Sequence, residues 1–148
     1  MGKSFLISAL AVAVLVGVGT DLQAQNPNYN VGPVWRVTYV HINPGQGEAF
    51  WNDIRQNLRP VWDEQKRQGL ITDYKLYTNP VTNQPDDWNV AIAALYPNWA
   101  ALDQFAAKGE TIGIKHYGTR EAMLEAGRKR SEISKILSSH LAREVTLK

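Results

Sequence analysis

Three histidines, His41, His116 and His140, are the only imidazoles in the chain, and cysteine is absent. No thiolate is therefore available as a nucleophile or soft metal ligand. No two histidines stand at the short spacing of a helical metal site or an H-E-x-x-H motif, so no metal site is signalled. The carboxylates Asp53, Asp63, Glu64, Asp86 and Asp87 sit where a solvated helix face or a loop places them, and they read as exposed. His41 stands apart. The alternation of Val34 to Ile42 puts Trp35, Val37, Tyr39 and His41 on one side of a strand and Arg36, Thr38, Val40 and Ile42 on the other. An imidazole beside a phenol and an indole can bind an aromatic or polycyclic ligand, with Trp35, Tyr39 and His41 as contacts. His41 would then act as general base near neutral pH and Tyr39 would orient or donate. The same set can form half of a dimer interface, where Trp and Tyr are enriched for reasons unrelated to catalysis. The interface carries more weight than the pocket.

The elements that must hold these residues follow from periodicity. The strand ends at Asn43-Pro44-Gly45, a turn, and Phe50, Trp51, Ile54, Leu58, Val61 and Trp62 then fall at helical spacing from about Gly47 to Gln68. Pro60 lies inside that helix and removes a backbone donor, which predicts a kink or break between about Asn57 and Val61. Gly69 closes the helix. Leu70 to Thr78 and Trp88 to Tyr96 read as two strands joined by a loop of turn residues, hence an antiparallel hairpin. Ala91, Ala93 and Ala94 leave room on the second of them for a close helix or a cavity. Asn98 is an expected N-cap for a further helix through Trp99, Leu102, Phe105 and Ala106, interrupted at Gly109 and Gly113. The chain re-enters a helix near Thr119 and runs toward Ser138-Ser139-His140. A last strand is expected over Leu141 to Leu147. Strands one and three are apolar on both faces, as inner strands covered twice would be.

The first residues bound the rest. Lys3, an apolar run from Phe5 to Val18 and a small residue at Ala24 have the order of a secretory signal peptide, so residues 1–24 are set apart from the fold. The run is too short to span a bilayer, so no membrane association is expected once the segment is cleaved. The implied location is the periplasm or the extracellular space. Residues 25–33 are polar, contain two prolines and read as a flexible leader. Residues 34–148 form one domain. Lys3 and Asp21 leave together, so the formal charge of +2 is unchanged, and nucleic acid is not an expected partner. Arg128-Lys129-Arg130, set among Glu121, Glu125 and Glu132, reads as a solvated, charge-paired helix face.

The order β-α-β-β-α-β is the split βαβ, or ferredoxin-like, α+β arrangement. Val40-His-Ile-Asn-Pro-Gly-Gln-Gly-Glu-Ala-Phe50 resembles the strand-Pro-Gly-helix transition of dimeric α/β-barrel proteins, the superfamily of antibiotic-biosynthesis-type monooxygenases and stress-responsive barrel proteins. Val90 to Phe105, ending Tyr-Pro-Asn-Trp-Ala-Ala-Leu-Asp-Gln-Phe, is similar to that superfamily's third strand and following helix. The resemblance implies a homodimer whose two sheets face one another as a barrel. It also implies a pocket for a small apolar or aromatic ligand, between each sheet and its helices or within the barrel, and it places Val40 and Ile42 toward the helices. Several related enzymes carry a histidine where this chain has Phe105, which weighs against carrying their activity over. Three functions remain: ligand binding without an assigned reaction, a cofactor-independent monooxygenase- or isomerase-like enzyme using His41, and haem binding or degradation through His116.

Overall fold

A computed structural model describes residues 27–148 other than residue 83, so the expected signal peptide lies outside the described residues. Strand β1 (Tyr29–Ile42) leads through a turn at Pro44 and Gly45, whose φ is +78°, into helix α1 (Gly47–Asp53). One π-helical turn, Ile54–Leu58, joins α1 to α2 (Arg59–Arg67). Then come β2 (Asp73–Thr78), β3 (Val90–Tyr96), α3 (Trp99–Tyr117), α4 (Arg120–Ile133) and β4 (Ser134–Leu147). The four strands form one antiparallel sheet in the order β2-β3-β1-β4, with β2 and β3 as the expected hairpin and β1 inside. This is the split βαβ topology that the sequence implied.

The sheet has one covered face. Val34, Val40, Val90 and Tyr96 are each no more than 4 % exposed, and they pack under Phe50 and Ile54 at one end and Ile71 at the other. Leu102 and Phe105 of α3 join the second cluster. Burying a side chain such as Phe50 contributes roughly 1.5–3 kcal/mol, and these clusters are what fix the helices on the sheet.

Three expectations are corrected. The flexible leader over 25–33 is strand from Tyr29 onward, because β4 is long enough to pair with it: Tyr29 faces Leu147 and Val31 faces Val145. The register shift between Val31 and Val34 takes up Gly32 and Pro33, and Pro33 has no N–H to give to a ladder. Conversely, α4 stops at Ile133, and Ile136 and Leu137, which were read as helical, belong to a β4 that begins at Ser134. Pairing with the whole of β1 outweighs local helical spacing there. Trp99–Tyr117 is one helix through Gly109 and Gly113, and Gly113 is where α4 comes close, since a Cβ there would meet the Met123 sulfur at 2.6 Å. The break expected ahead of Pro60 is present, as the π turn Ile54–Leu58 that interrupts the α-helical bonding around Asn57. That widened turn accommodates the proline ring and the missing donor while the backbone stays right-handed through Arg59.

The capping expectations hold. Gly69 has φ +72°, and Asn98 Oδ1 accepts from the Ala101 N–H at 3.0 Å. Thr119 caps α4 by accepting from Ala122 N–H at 3.0 Å.

Candidate functional site

The two faces of the sheet separate the candidate residues. Trp35, Val37, Tyr39 and His41 lie together, as alternation required, and on the face away from the helices, as the barrel resemblance implied. Across β1 they meet Leu95, Ala93 and Ala91 of β3, and Ala142, His140, Ser138 and Lys135 of β4. Trp88, just before β3, sets its ring edge-on to Tyr39 at 5.3 Å, and His140 lies 6.1 Å from Tyr39 on the other side. The Lys75 ammonium lies 5.5 Å from the centre of the Trp35 ring, and Trp35 Nε1–H donates to Glu144 at 3.1 Å. His41 Nδ1 is 2.8 Å from the Asp87 carbonyl oxygen. A carbonyl can only accept, so Nδ1 carries the proton and Nε2 of the neutral ring presents a lone pair. No helix among the described residues packs on this face. Trp35, Val37, Tyr39 and His41 are half-buried by their neighbours on the sheet, Ala91 and Ala93 beside them on β3 are buried, and Lys135, His140 and Ala142 are exposed.

The space for a ligand is on the opposite side of the sheet. A cavity of about 750 Å³ lies between the sheet and α1 and α4, within the usual range for small-molecule sites. Its floor is Thr38 and Val40 of β1, Ile92 of β3, and Ser134, Lys135 and Ile136 of β4. Phe50 and Leu58 close one wall, Gly127, Arg130 and Ser131 the other, and Asn43 one end. At the β4 edge it opens to solvent, where Ile136 is 67 % exposed. Gly127 leaves the helix wall bare, and a Cβ there would meet nothing within 4 Å.

Arg130 is the strongest polar feature of that wall. Its Nε donates to Asp53 Oδ2 at 2.5 Å, and its Nη2 reaches the Tyr117 hydroxyl at 3.3 Å. Asp53 also accepts from Asn57 Nδ2 at 2.8 Å. Burial works to lower the Arg130 pKa, but the hydrogen bond and charge of Asp53, with the Tyr117 hydroxyl, outweigh it and hold the guanidinium above its ordinary value. The sequence reading had put both Asp53 and Arg130 on solvated faces. The signal was there in the spacing: Met123, Ala126, Arg130 and Ile133 share one stripe of α4, and Phe50, Asp53 and Asn57 share one of the first helical region. Arg128 and Lys129 behave as expected, pairing with Glu125 on the outside.

Thus Trp35, Tyr39 and His41 come together, but they do not line this cavity. His116 belongs to neither group: it is exposed in the last turn of α3 with its ring against Tyr117 at 4.8 Å, and it does not line the cavity. A haem held there would lie on the outside of α3, without the enclosing apolar walls that such a group needs, so the residues present do not fit it. Phe105 is partly buried against the core, edge-on to Tyr96 at 5.4 Å. Among the described residues no group of three or more His, Cys, Asp or Glu side chains could hold a metal ion. No helix among them is long and apolar enough to cross a membrane.

The sequence matches no protein-family profile and no curated protein. Solved structures do resemble the fold. A dimeric ferredoxin-like protein from an uncultured marine organism superposes with a TM-score of 0.53 at 9 % identity, over 79 % of this chain and 90 % of that one. HapK from Hahella chejuensis gives 0.49 at 9 % identity, over 75 % and 91 %. A dimeric ferredoxin-like protein of unknown function from Jannaschia sp. CCS1 gives 0.46 at 14 %, over 74 % and 98 %. The first of these agrees with the strand order in assigning a ferredoxin-like fold.

Proposed function

We propose that this chain is an exported, homodimeric α/β-barrel protein that holds a small, mostly apolar ligand in the cavity between its sheet and helices. The observation that carries the reading is the division of labour between the two sheet faces. One face holds a cavity of about 750 Å³ lined by Val40, Phe50, Leu58, Ile92 and Ile136, and the other presents Trp35, Val37, Tyr39, Leu95 and Trp88, each partly exposed, with no helix of the described residues packed on them. Uncovered aromatic surface on a monomer is what a protein interface looks like. The marine ferredoxin-like relative in fold is described as dimeric, which supports a second copy as the occupant. Export rests on residues 1–24 alone, and N-terminal sequencing of the protein secreted by a host cell would test it.

Gly127→Phe tests the cavity. The position is helical and open, so an aromatic ring there fills the cavity without displacing backbone. Native mass spectrometry of the purified protein should show a co-purifying small molecule in the wild type and none in the variant. The same bound mass in both would exclude this cavity as its place.

One observation favours a second reading, an enzyme of the cofactor-independent monooxygenase or isomerase type. The Asp87 carbonyl fixes the His41 tautomer and leaves Nε2 as a base beside Tyr39, which would lie inside a barrel made by two sheets. Turnover lost in His41→Ala, with the dimer intact, is the outcome that would favour it. The exposed His116 does not support the haem reading, and a Soret shift on titration that is lost in His116→Ala would restore it.

A further inference from the structure

The charges around the cavity say which end of a ligand goes where. Two arginines flank the space between the sheet and the helices. Arg130 is neutralised by Asp53 at 2.5 Å. Arg36, part-buried on the helix-facing side of β1, has no such partner: among the described residues no carboxylate pairs with it. Its Nη2 donates to the Tyr96 hydroxyl, and its guanidinium lies 4.6 Å from the centre of the Phe105 ring and 5.2 Å from that of Tyr96. Aromatic faces and one phenol oxygen offset only part of the cost of taking a cation out of water.

Arg36 also stands where a ligand can reach it. With Thr38 and Ser139, whose hydroxyl oxygens are 3.1 Å apart, it forms the polar wall of a second cavity of about 270 Å³, faced by Trp62 and Ile92. Thr38, Ile92 and Ile136 line this cavity and the larger one, so the two are neighbouring parts of one trough. Its lining is mostly apolar, with Arg36 in the smaller part and Arg130, held by Asp53, and Lys135 in the larger.

We infer, on the strength of the cavity reading above, that the ligand is an amphipathic carboxylate. Its apolar body lies over Val40, Ile92 and Phe50, and its carboxylate is received by Arg36 with the Thr38 and Ser139 hydroxyls. A planar carboxylate matches the guanidinium fork, and no carboxylate among the described residues already occupies Arg36.

The test is calorimetry with two matched pairs of probes, decanoate against decan-1-ol and 2-naphthoate against 2-naphthalenemethanol, with decyl phosphate as a fifth. For at least one pair the wild type should bind the carboxylate about tenfold or more tighter than the alcohol. Arg36→Gln should bring that ratio close to one without weakening the alcohol, and Arg36→Lys should keep part of it. Equal binding of acid and alcohol by the wild type, or tighter binding of decyl phosphate than of decanoate, overturns the carboxylate assignment and leaves the cavity reading standing. No binding of any of the five overturns both. If Arg36→Gln does not fold, the wild-type ratio and Arg36→Lys still decide.

Discussion

Arg130 Nε reaches Asp53 Oδ2 at 2.5 Å, and this ion pair ties α4 to the C-terminal end of α1 across 77 residues of sequence. Its side chains are only 24 % and 16 % exposed, so removing one partner strands a poorly solvated charge. Asp53→Asn should therefore destabilise the fold by about 2 kcal/mol, less than the roughly 3–5 kcal/mol of a fully buried pair. Asp53→Leu combined with Arg130→Met should cost less than the sum of the two single changes. Urea denaturation of the four proteins measures the cycle, and strict additivity would mean that the pair is not coupled.

Two helical glycines should respond in opposite directions to alanine. Gly127 faces open space, so Gly127→Ala gains helix propensity and should stabilise by about 0.5–1 kcal/mol. Gly113 is the contact point of α3 with α4, and its new methyl would press on the Met123 sulfur. The thioether can move aside, so Gly113→Ala should be near neutral to about 1 kcal/mol destabilising, while Gly113→Val should cost about 2 kcal/mol or more. Thermal melts of the three variants check the order.

Glu64 accepts from Arg67 and Gln68, and these two hydrogen bonds, chiefly the one from Arg67, bring its carboxyl from 4.5 down to about 2. A carboxyl depressed by folding contributes stability that is present above pH 4.5 and lost as the pH falls toward 2. Glu64→Gln should therefore be less stable than the wild type at pH 6 and approach it at pH 2. The group is exposed and the difference should be small and reduced by salt. Denaturation midpoints that run parallel between pH 6 and pH 2 would show that these bonds do not persist in solution.

His41→Ala separates the two sheet faces. The imidazole is on the aromatic face and away from the cavity lining. The variant should bind a cavity ligand as the wild type does while its monomer-dimer equilibrium shifts toward monomer. Calorimetry and sedimentation on the same sample read both, and weakened ligand binding in an intact dimer would put the site inside the barrel instead.

Much of the fold was legible because it rests on local rules. Alternation in Val34 to Ile42 sorted that stretch into its two faces, Asn98 and Gly69 marked helix ends by side-chain chemistry and φ, and a new helix was expected near Thr119, which caps α4. What was misread depends on distant partners. Tyr29 to Gly32 become strand, and Ile136 and Leu137 leave the helix, only because β1 and β4 pair along their whole length. Gly113 is tolerated in mid-helix because Met123 needs the space. The cavity was least legible of all, since Arg130 looks like one member of a basic surface run until Asp53 is placed beside it. Arg36 likewise drew no attention until Phe105 and the Thr38–Ser139 pair surrounded it.

The central claim is that the uncovered face bearing Trp35, Val37 and Tyr39 meets its copy in a second chain. Sedimentation equilibrium at micromolar concentration addresses it without a ligand or a variant. The account expects a single species of twice the chain mass, with the cavities left on the outer side of the paired sheets. A species of monomer mass that does not change up to about 100 micromolar, well above the Kd of a stable interface, would contradict it.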